Sequence, residues 1–91
     1  MVTGIVMVNT RRDVVNETAE TLAALEGVAE VYSITGEWDL VAIVRTKTND
    51  ELAEVVTKHV GKVDGIVKTE THVAFRAFSR HDLETMFGIG L

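Results

Sequence analysis

The chain has 91 residues and a formal net charge of −5, with 46% hydrophobic and 25% charged residues. This length and composition predict one folded domain and exclude intrinsic disorder. The nine Lys and Arg residues are scattered, with Arg11 and Arg12 as the only adjacent pair, so the sequence lacks the basic stripe that direct nucleic-acid binding requires.

The absence of certain residues and segments excludes further kinds of site and further classes of protein. The chain has no Cys, which rules out disulfide bonds, thiol nucleophiles and thiolate metal sites and agrees with a reducing compartment. Residues 1–4 lack the features of a signal peptide, and no apolar run is long enough to span a bilayer. We therefore expect a single cytoplasmic domain over residues 1–91 that makes no membrane contact.

An internal repeat organises the chain. Shifting the sequence by 38 positions aligns Ile5-Val6 with Ile43-Val44, Thr10 with Thr48, and Gly27-Val28 with Gly65-Ile66. Each half therefore encodes one copy of the same strand–helix–strand unit.

The first unit begins with a Val- and Ile-rich strand at residues 3–9. Thr10 and Asp13 have the spacing of a helix N-cap, so a helix is expected directly after Thr10. Its buried face is predicted from residues spaced three and four apart, namely Val15, Thr18, Leu22 and Leu25. Gly27 is expected to end this helix in a left-handed conformation, and a strand follows at residues 28–35.

The second unit repeats this pattern with a strand at residues 39–46 and a cap formed by Thr48 and Glu51. The predicted buried face of its helix consists of Leu52, Val56, Val60 and Val63. Gly61 is the expected left-handed terminator, and the last strand is placed at residues 66–77.

The connection between strands two and three, residues 35–38, is a tight hairpin turn. The resulting order βαββαβ predicts an α+β, ferredoxin-like fold: a four-stranded antiparallel sheet with two helices on one face. The other face remains uncovered, although residues 40–44 are apolar without interruption, so a second copy of the chain is the expected cover.

The final segment, residues 78–91, is interpreted as a C-terminal extension. It is rich in apolar residues, namely Phe78, Leu83, Met86, Phe87, Ile89 and Leu91. The tail either folds back on its own sheet or reaches a neighbouring subunit.

The chain has few arrangements of residues that could catalyse a reaction or bind a metal ion. The three histidines, His59, His72 and His81, do not form an H-x-x-x-H pair, and no carboxylates cluster at metal-ligand spacing. No Ser stands in a nucleophile elbow, and no Gly-rich phosphate loop follows a strand. The sequence therefore predicts no catalytic residue, no metal and no cofactor.

The hairpin turn is the remaining candidate site. Gly36 allows a ligand to approach the backbone closely, Asp39 can accept hydrogen bonds from an ammonium group, and Trp38 is the only Trp. Glycine beside an acidic residue is also ordinary hairpin chemistry, so the turn alone leaves both interpretations open.

Two segments together resemble a known family. Residues 34–40 (ITGEWDL) and residues 65–71 (GIVKTET) are similar to the effector domain of the Lrp/AsnC family of feast/famine regulators, also called the RAM domain. The resemblance covers residues 3 to about 77. It implies a dimeric α/β barrel, higher assemblies from tetramer to octamer, and a small effector, usually an amino acid, bound between subunits.

Carried over by position, the resemblance implies an effector site formed by Thr35, Gly36, Glu37, Trp38, Asp39, Thr69 and Thr71. Trp38 stands where the family more often has Tyr. The family's N-terminal helix-turn-helix domain has no counterpart before the first strand, so a stand-alone module is expected, acting with itself or with full-length Lrp/AsnC regulators.

Three functions remain open from the sequence. The leading hypothesis is an amino-acid sensor, identified by the turn at Gly36 and Asp39. A structural or interaction module that binds no small ligand is the second. A small oxygenase or isomerase on the same barrel, using His72 or Arg76, is the third.

Overall fold

The computed structural model describes residues 1–80, which follow the predicted order of elements. The strands are β1 (Val2–Thr10), β2 (Val28–Ser33), β3 (Leu40–Thr46) and β4 (Ile66–Val73). The helices are α1 (Val15–Ala23), entered through a 3₁₀ turn at Arg12–Val14, and α2 (Asn49–Glu54), which continues as a π turn at Val55–His59 and a 3₁₀ turn at Val60–Lys62.

The four strands form one antiparallel sheet in the order β2-β3-β1-β4, and both helices pack on the same face. Because side chains alternate along a strand, every second residue of β1 and β3 points toward the helices. The core beneath the helices consists of Val6, Val8, Leu22, Leu40, Ala42, Val44, Leu52, Val55 and Val60. The predicted α+β, ferredoxin-like arrangement is confirmed.

The strand ends differ slightly from the prediction. β4 stops at Val73, whereas the sequence predicts an end at residue 77. β4 ends at Val73 because it runs antiparallel to β1, which begins at Val2 and offers no further partner. The last hydrogen bond between the two strands is donated by the Ala74 N–H to the Thr3 carbonyl, at 2.9 Å.

The predicted cap at Thr10 and Asp13 is wrong. Thr10 is a buried strand residue, and its hydroxyl donates to the Arg11 carbonyl at 2.9 Å. Its backbone stays in the sheet because the N–H is bound by a carboxylate from the adjacent hairpin. The chain therefore enters α1 through the 3₁₀ turn, and Val14 precedes α1 without a side-chain cap. The predicted buried face of α1 is confirmed, with Thr18 and Leu22 fully covered.

The second helix begins as predicted and ends differently. The Glu51 N–H donates to the Thr48 hydroxyl, and the Glu51 carboxylate accepts from the Lys47 N–H, both at 3.1 Å. The helix then continues through the π turn, and Val55, three residues after Leu52, is buried in the core with Leu52 and Val60. Gly61 lies in the following 3₁₀ turn and is not left-handed, so its prediction as a terminator is wrong.

The opposite face of the sheet is uncovered in the described chain and is called the bare face below. Its centre is the apolar strip formed by Ile5, Met7, Val41 and Ile43, all partly exposed. Its margins are the edge strands β2 and β4, which carry polar side chains. The bare face is the uncovered surface that the sequence predicted.

The C-terminal end of the described chain contributes little to the core. Phe78, the first residue of the predicted extension, is 77% exposed. The remaining apolar residues of that extension, from Leu83 onward, lie outside residues 1–80. Within residues 1–80, no helix has both the length and the apolarity needed to cross a membrane.

Candidate ligand site at the hairpin end

The hairpin between β2 and β3 projects from one end of the sheet. Its base is closed by the Ile34 N–H, which donates to the Asp39 carbonyl at 3.0 Å. Gly36 has a φ of +99°, which side chains rarely adopt, yet a Cβ there would have no atom within 4 Å. Gly36 is therefore required by the backbone conformation, and the space around it is open. Thr35 and Glu37 beside it are exposed.

Asp39 joins the hairpin to the end of β1. Its carboxylate oxygen Oδ2 accepts from the Thr10 N–H at 2.9 Å. Its own N–H lies 3.0 Å from the Val8 carbonyl and 3.2 Å from Asn9 Oδ1 and donates to both. The predicted ligand-binding carboxylate thus has a structural role that the sequence did not indicate. Oδ2 is thus used within the chain.

A cation lies over the indole of the hairpin. Lys68 Nζ is 5.2 Å from the centroid of the Trp38 ring, within the range of a cation–π interaction. Lys68 reaches this position because antiparallel pairing of β1 and β4 places it beside Asn9, which also contacts Asp39. The hairpin end therefore carries an ammonium group over Trp38 and, through Asp39, a carboxylate bound to the end of β1. The sequence analysis did not identify Lys68, because the contact of Lys68 with Trp38 depends on the pairing of β4 with β1.

The two threonines of β4 lie apart from this cluster. Thr69 pairs with Val8 and Thr71 pairs with Val6, so both threonines point to the helix side of the sheet. Thr71 lines a shallow apolar groove of about 250 Å³ between α2 and β4, together with Leu52 and Val73. A single chain thus brings Thr35, Gly36, Glu37, Trp38 and Asp39 together and leaves Thr69 and Thr71 on the helix side of the sheet.

Other chemistry-bearing groups do not gather at the hairpin. His72 lies on the bare face with Nε2 at 2.8 Å from the Glu70 carboxylate, and His59 is exposed on the π turn. A larger open cleft of about 540 Å³ lies at the opposite end of the sheet, beside Gly27 and Thr46. Among residues 1–80, no three His, Cys, Asp or Glu side chains are grouped closely enough to hold a metal ion.

Comparison with known proteins agrees with these features. The model of the Lrp/AsnC ligand binding domain matches residues 3–83. The HTH-type transcriptional regulator LrpA of Pyrococcus abyssi is 34% identical over 61 residues, which are 67% of this chain and 43% of that regulator. The chain therefore spans less than half the length of this curated relative.

Solved structures show the same relationship. A crystal structure of a Thermus thermophilus protein is 46% identical and covers 88% of this chain and 100% of its own, with a TM-score of 0.82. A Neisseria meningitidis transcriptional regulator, solved as a complex with L-Met, shares the fold at 14% identity, with a TM-score of 0.77 over 87% of this chain and 53% of its own. The chain belongs to the Lrp/AsnC ligand-binding domain family, whose curated members matched here are transcriptional regulators.

Proposed function

We propose that the chain is a module that binds an amino-acid effector at the hairpin end and acts in regulation through its assembly with other chains. Membership of a ligand-binding domain family supports the general class of function. The observation that carries the proposal is that one hairpin end holds both an ammonium group, Lys68 over the Trp38 ring, and a carboxylate, Asp39 at the end of β1.

This arrangement matches the charges of a free amino acid. The effector's ammonium group would donate to Asp39 Oδ1, and its carboxylate would accept from Lys68. Hydrogen bonds to charged groups contribute about 1.5–3 kcal/mol each, so loss of either one is expected to weaken binding about 10-fold or more. The open space at Gly36 admits the ligand to the backbone, and Thr35, Glu37 and Trp38 are the neighbouring groups for its side chain.

Assembly is the second part of the proposal. The apolar strip on the bare face is covered by a second copy, giving the homodimer expected of a dimeric α/β barrel. Higher assemblies, from tetramer to octamer, bring Thr69 and Thr71 of a neighbouring chain to the ligand. An effector that binds one assembly more tightly than another shifts the population between them.

The partners follow from this scheme. The module acts in the cytoplasm with copies of itself or with full-length Lrp/AsnC regulators, and it makes no direct contact with DNA. The bare face also supports a second candidate, an interaction module that assembles with other chains and binds no small molecule. Ligand binding separates the two candidates.

A ligand screen tests the proposal directly. The native protein is heated with each of the twenty amino acids at millimolar concentration, and Trp38, the only Trp, reports binding through its fluorescence. We expect one amino acid, or a small chemically related group, to raise the melting temperature and change the emission, because a ligand of the native state stabilises it by mass action. A flat response to all twenty would favour the interaction module.

Two substitutions at Asp39 separate its roles. Asp39→Asn retains an oxygen for the Thr10 N–H and removes the charge, so we expect the fold to persist and effector affinity to fall about 10-fold or more. Asp39→Ala removes both functions and is expected to lower stability as well. Glu20→Gln, an equivalent change on the exposed surface of α1, is the control. Undiminished binding by Asp39→Asn would remove this carboxylate from the site.

A further inference from the structure

The helix side of β4 is exposed, unlike the helix side of the two central strands. Thr69, Thr71 and Val73 point to this side, because they pair with residues of β1 that face the helices. All three are exposed in the described chain, and Val73 retains 53% of its surface. The edge strand therefore presents an uncovered surface on the same side of the sheet as the core.

A shallow groove of about 250 Å³ lies between α2 and this side of β4. Its apolar lining comes from Leu52, Ala53, Val56 and Val73. Leu52 can pack this close to the sheet because β1 has Gly4 beneath it, where a Cβ would lie 2.7 Å from Leu52 Cδ1. Among residues 1–80, those that line the groove are all uncharged. The groove is therefore suited to an apolar occupant.

The size of the groove indicates how its occupant is held. A cavity of about 150 Å³ is enough for a ring of the size of benzene, so this groove has room for one aromatic side chain and part of another apolar group. Stable complexes between separate proteins bury about 1,200–2,000 Å² in total, which is far more than such a groove offers. A segment of the same chain needs much less contact, because a short tether gives it a local concentration of roughly millimolar. The groove therefore favours an occupant that is covalently attached.

The chain leaves the sheet at the groove itself. Val73 ends β4 and also lines the groove, and the following residues, 75–80, are exposed. Ten positions separate Val73 from Leu83, and an extended chain of that length spans at most about 33–36 Å. This connection is long enough to turn and return, so residues from Leu83 onward are within reach of the groove.

The sequence of the extension has the pattern of a short amphipathic helix. Leu83, Met86 and Phe87 stand at positions i, i+3 and i+4, which share one face of a helix, and Gly88 follows as a helix terminator. Helices bind apolar grooves through anchors at this spacing. The match to the Lrp/AsnC ligand binding domain ends at residue 83, so Met86 and Phe87 lie beyond it.

We propose that the tail, residues 83–91, occupies the groove between α2 and β4 of its own chain, with Phe87 as the main anchor. The tail covers Val73 and Thr71, and it thereby limits access to one of the residues that the resemblance assigns to the effector site. Docking of the tail uses the helix side of the sheet and does not depend on effector binding.

Thiol labelling tests the proposal, because the chain has no Cys of its own. Thr71→Cys places a single thiol in the groove. We expect it to react with a maleimide about 10-fold or more slowly than the same thiol in a chain that also carries Phe87→Ser, because this second change removes the apolar anchor. Equal rates in the two chains would overturn the proposal.

Two controls show that the effect belongs to the groove and to the anchor. Glu84→Ser changes the same segment outside its apolar face, so the thiol introduced at Thr71 should remain protected. Glu20→Cys places a thiol on the exposed surface of α1, where labelling should be equally fast with and without Phe87→Ser. Loss of protection with Glu84→Ser as large as that with Phe87→Ser would contradict the role of the apolar face.

Cross-linking shows which chain supplies the tail. Ala53 lines the groove from α2, so a variant with Ala53→Cys and Phe87→Cys is treated with a short bis-maleimide and analysed on a denaturing gel. We expect a product with the mass of one chain, and much less of it when Glu20→Cys replaces Ala53→Cys. A product with the mass of two chains, or none at all, would overturn the proposal. Both experiments are performed without any amino acid, so their outcome is separate from that of the ligand screen.

Discussion

The two faces of the sheet are built from the same residue types but differ in their burial within one chain. On the helix-covered face, Val6, Val8, Leu40, Ala42 and Val44 have no exposed surface. On the bare face, the intervening apolar residues of the same two strands remain partly exposed. Hydrophobicity alone therefore does not separate a core from an interface. The position of a residue in the pleat does, because only one face meets helices of the same chain.

Alanine substitution of two neighbouring residues gives the sharpest test of this difference. Leu40 faces the helices and Val41 faces away. Leu40→Ala removes buried methyl groups and leaves a cavity, so it should lower the free energy of unfolding by about 2–5 kcal/mol. Val41→Ala, at low protein concentration, should lower it by less than about 1 kcal/mol.

Urea denaturation of both variants provides the measurement. The larger loss for Leu40→Ala is expected to hold across protein concentrations, whereas the effect of Val41→Ala should grow as chains associate. Equal losses of unfolding free energy for both variants at low concentration would contradict this difference, because the two faces would then contribute equally to the stability of one chain.

Two glycines with the same backbone conformation extend the comparison. Gly65 and Gly36 both have a φ of +99°. A Cβ at Gly65 would lie 2.6 Å from the buried Thr18 hydroxyl oxygen and 2.9 Å from a Val14 methyl group, whereas at Gly36 it would meet nothing within 4 Å. The covered side of the fold therefore adds a steric clash to the strain that both positions share.

Alanine substitution measures that clash. Gly36→Ala should cost about 1–2 kcal/mol for the left-handed backbone alone. Gly65→Ala should cost more, because α1 must also move away from the start of β4. Thermal unfolding of the two variants gives the difference, and a larger loss at Gly36 would contradict the close packing of α1 on this strand.

The smallest expected effect is a titration on the bare face. The hydrogen bond from the Tyr32 hydroxyl to Glu30 raises the pKa of Tyr32 above its ordinary value of 10.0, the negative charge of Glu30 raises it further, and Arg45 lowers it. Because the folded-state pKa is raised, any stabilisation is complete below pH 10 and is lost as the pH rises through the folded-state value.

Phenolate absorbance reports this titration without ambiguity, since Tyr32 is the only Tyr. Glu30→Gln should lower the pKa of Tyr32 toward its ordinary value, because the substitution removes the negative charge and weakens the hydrogen bond. Glu20→Gln, on α1, should leave it unchanged. An identical titration curve for Glu30→Gln and the native protein would show that Tyr32 and Glu30 do not form this hydrogen bond.

Much of the fold was predictable because its signals are local. The alternation of strands, the spacing of Val15, Thr18 and Leu22, and the cap at Thr48 each occupy a few consecutive residues. The π turn at Val55–His59 was not predictable, since one shifted backbone hydrogen bond leaves the apolar spacing almost unchanged.

The site was predictable only in part because its contacts join distant segments. The hairpin was identified from its own residues. The role of Thr10 depends on Asp39, 29 positions away, and the contact of Lys68 with Trp38 depends on the pairing of β4 with β1. Strand register determines both, and a single sequence states the register only indirectly.

Sedimentation velocity on the native chain, compared with Ile43→Lys, tests most directly whether the bare face holds a second copy. Ile43 lies at the centre of the apolar strip, and a buried, unpaired ammonium there would oppose association. We expect the native protein to sediment with the mass of two or more chains and the folded variant with the mass of one. A native protein with the mass of one chain at every concentration, or a variant that associates as the native protein does, would contradict this account.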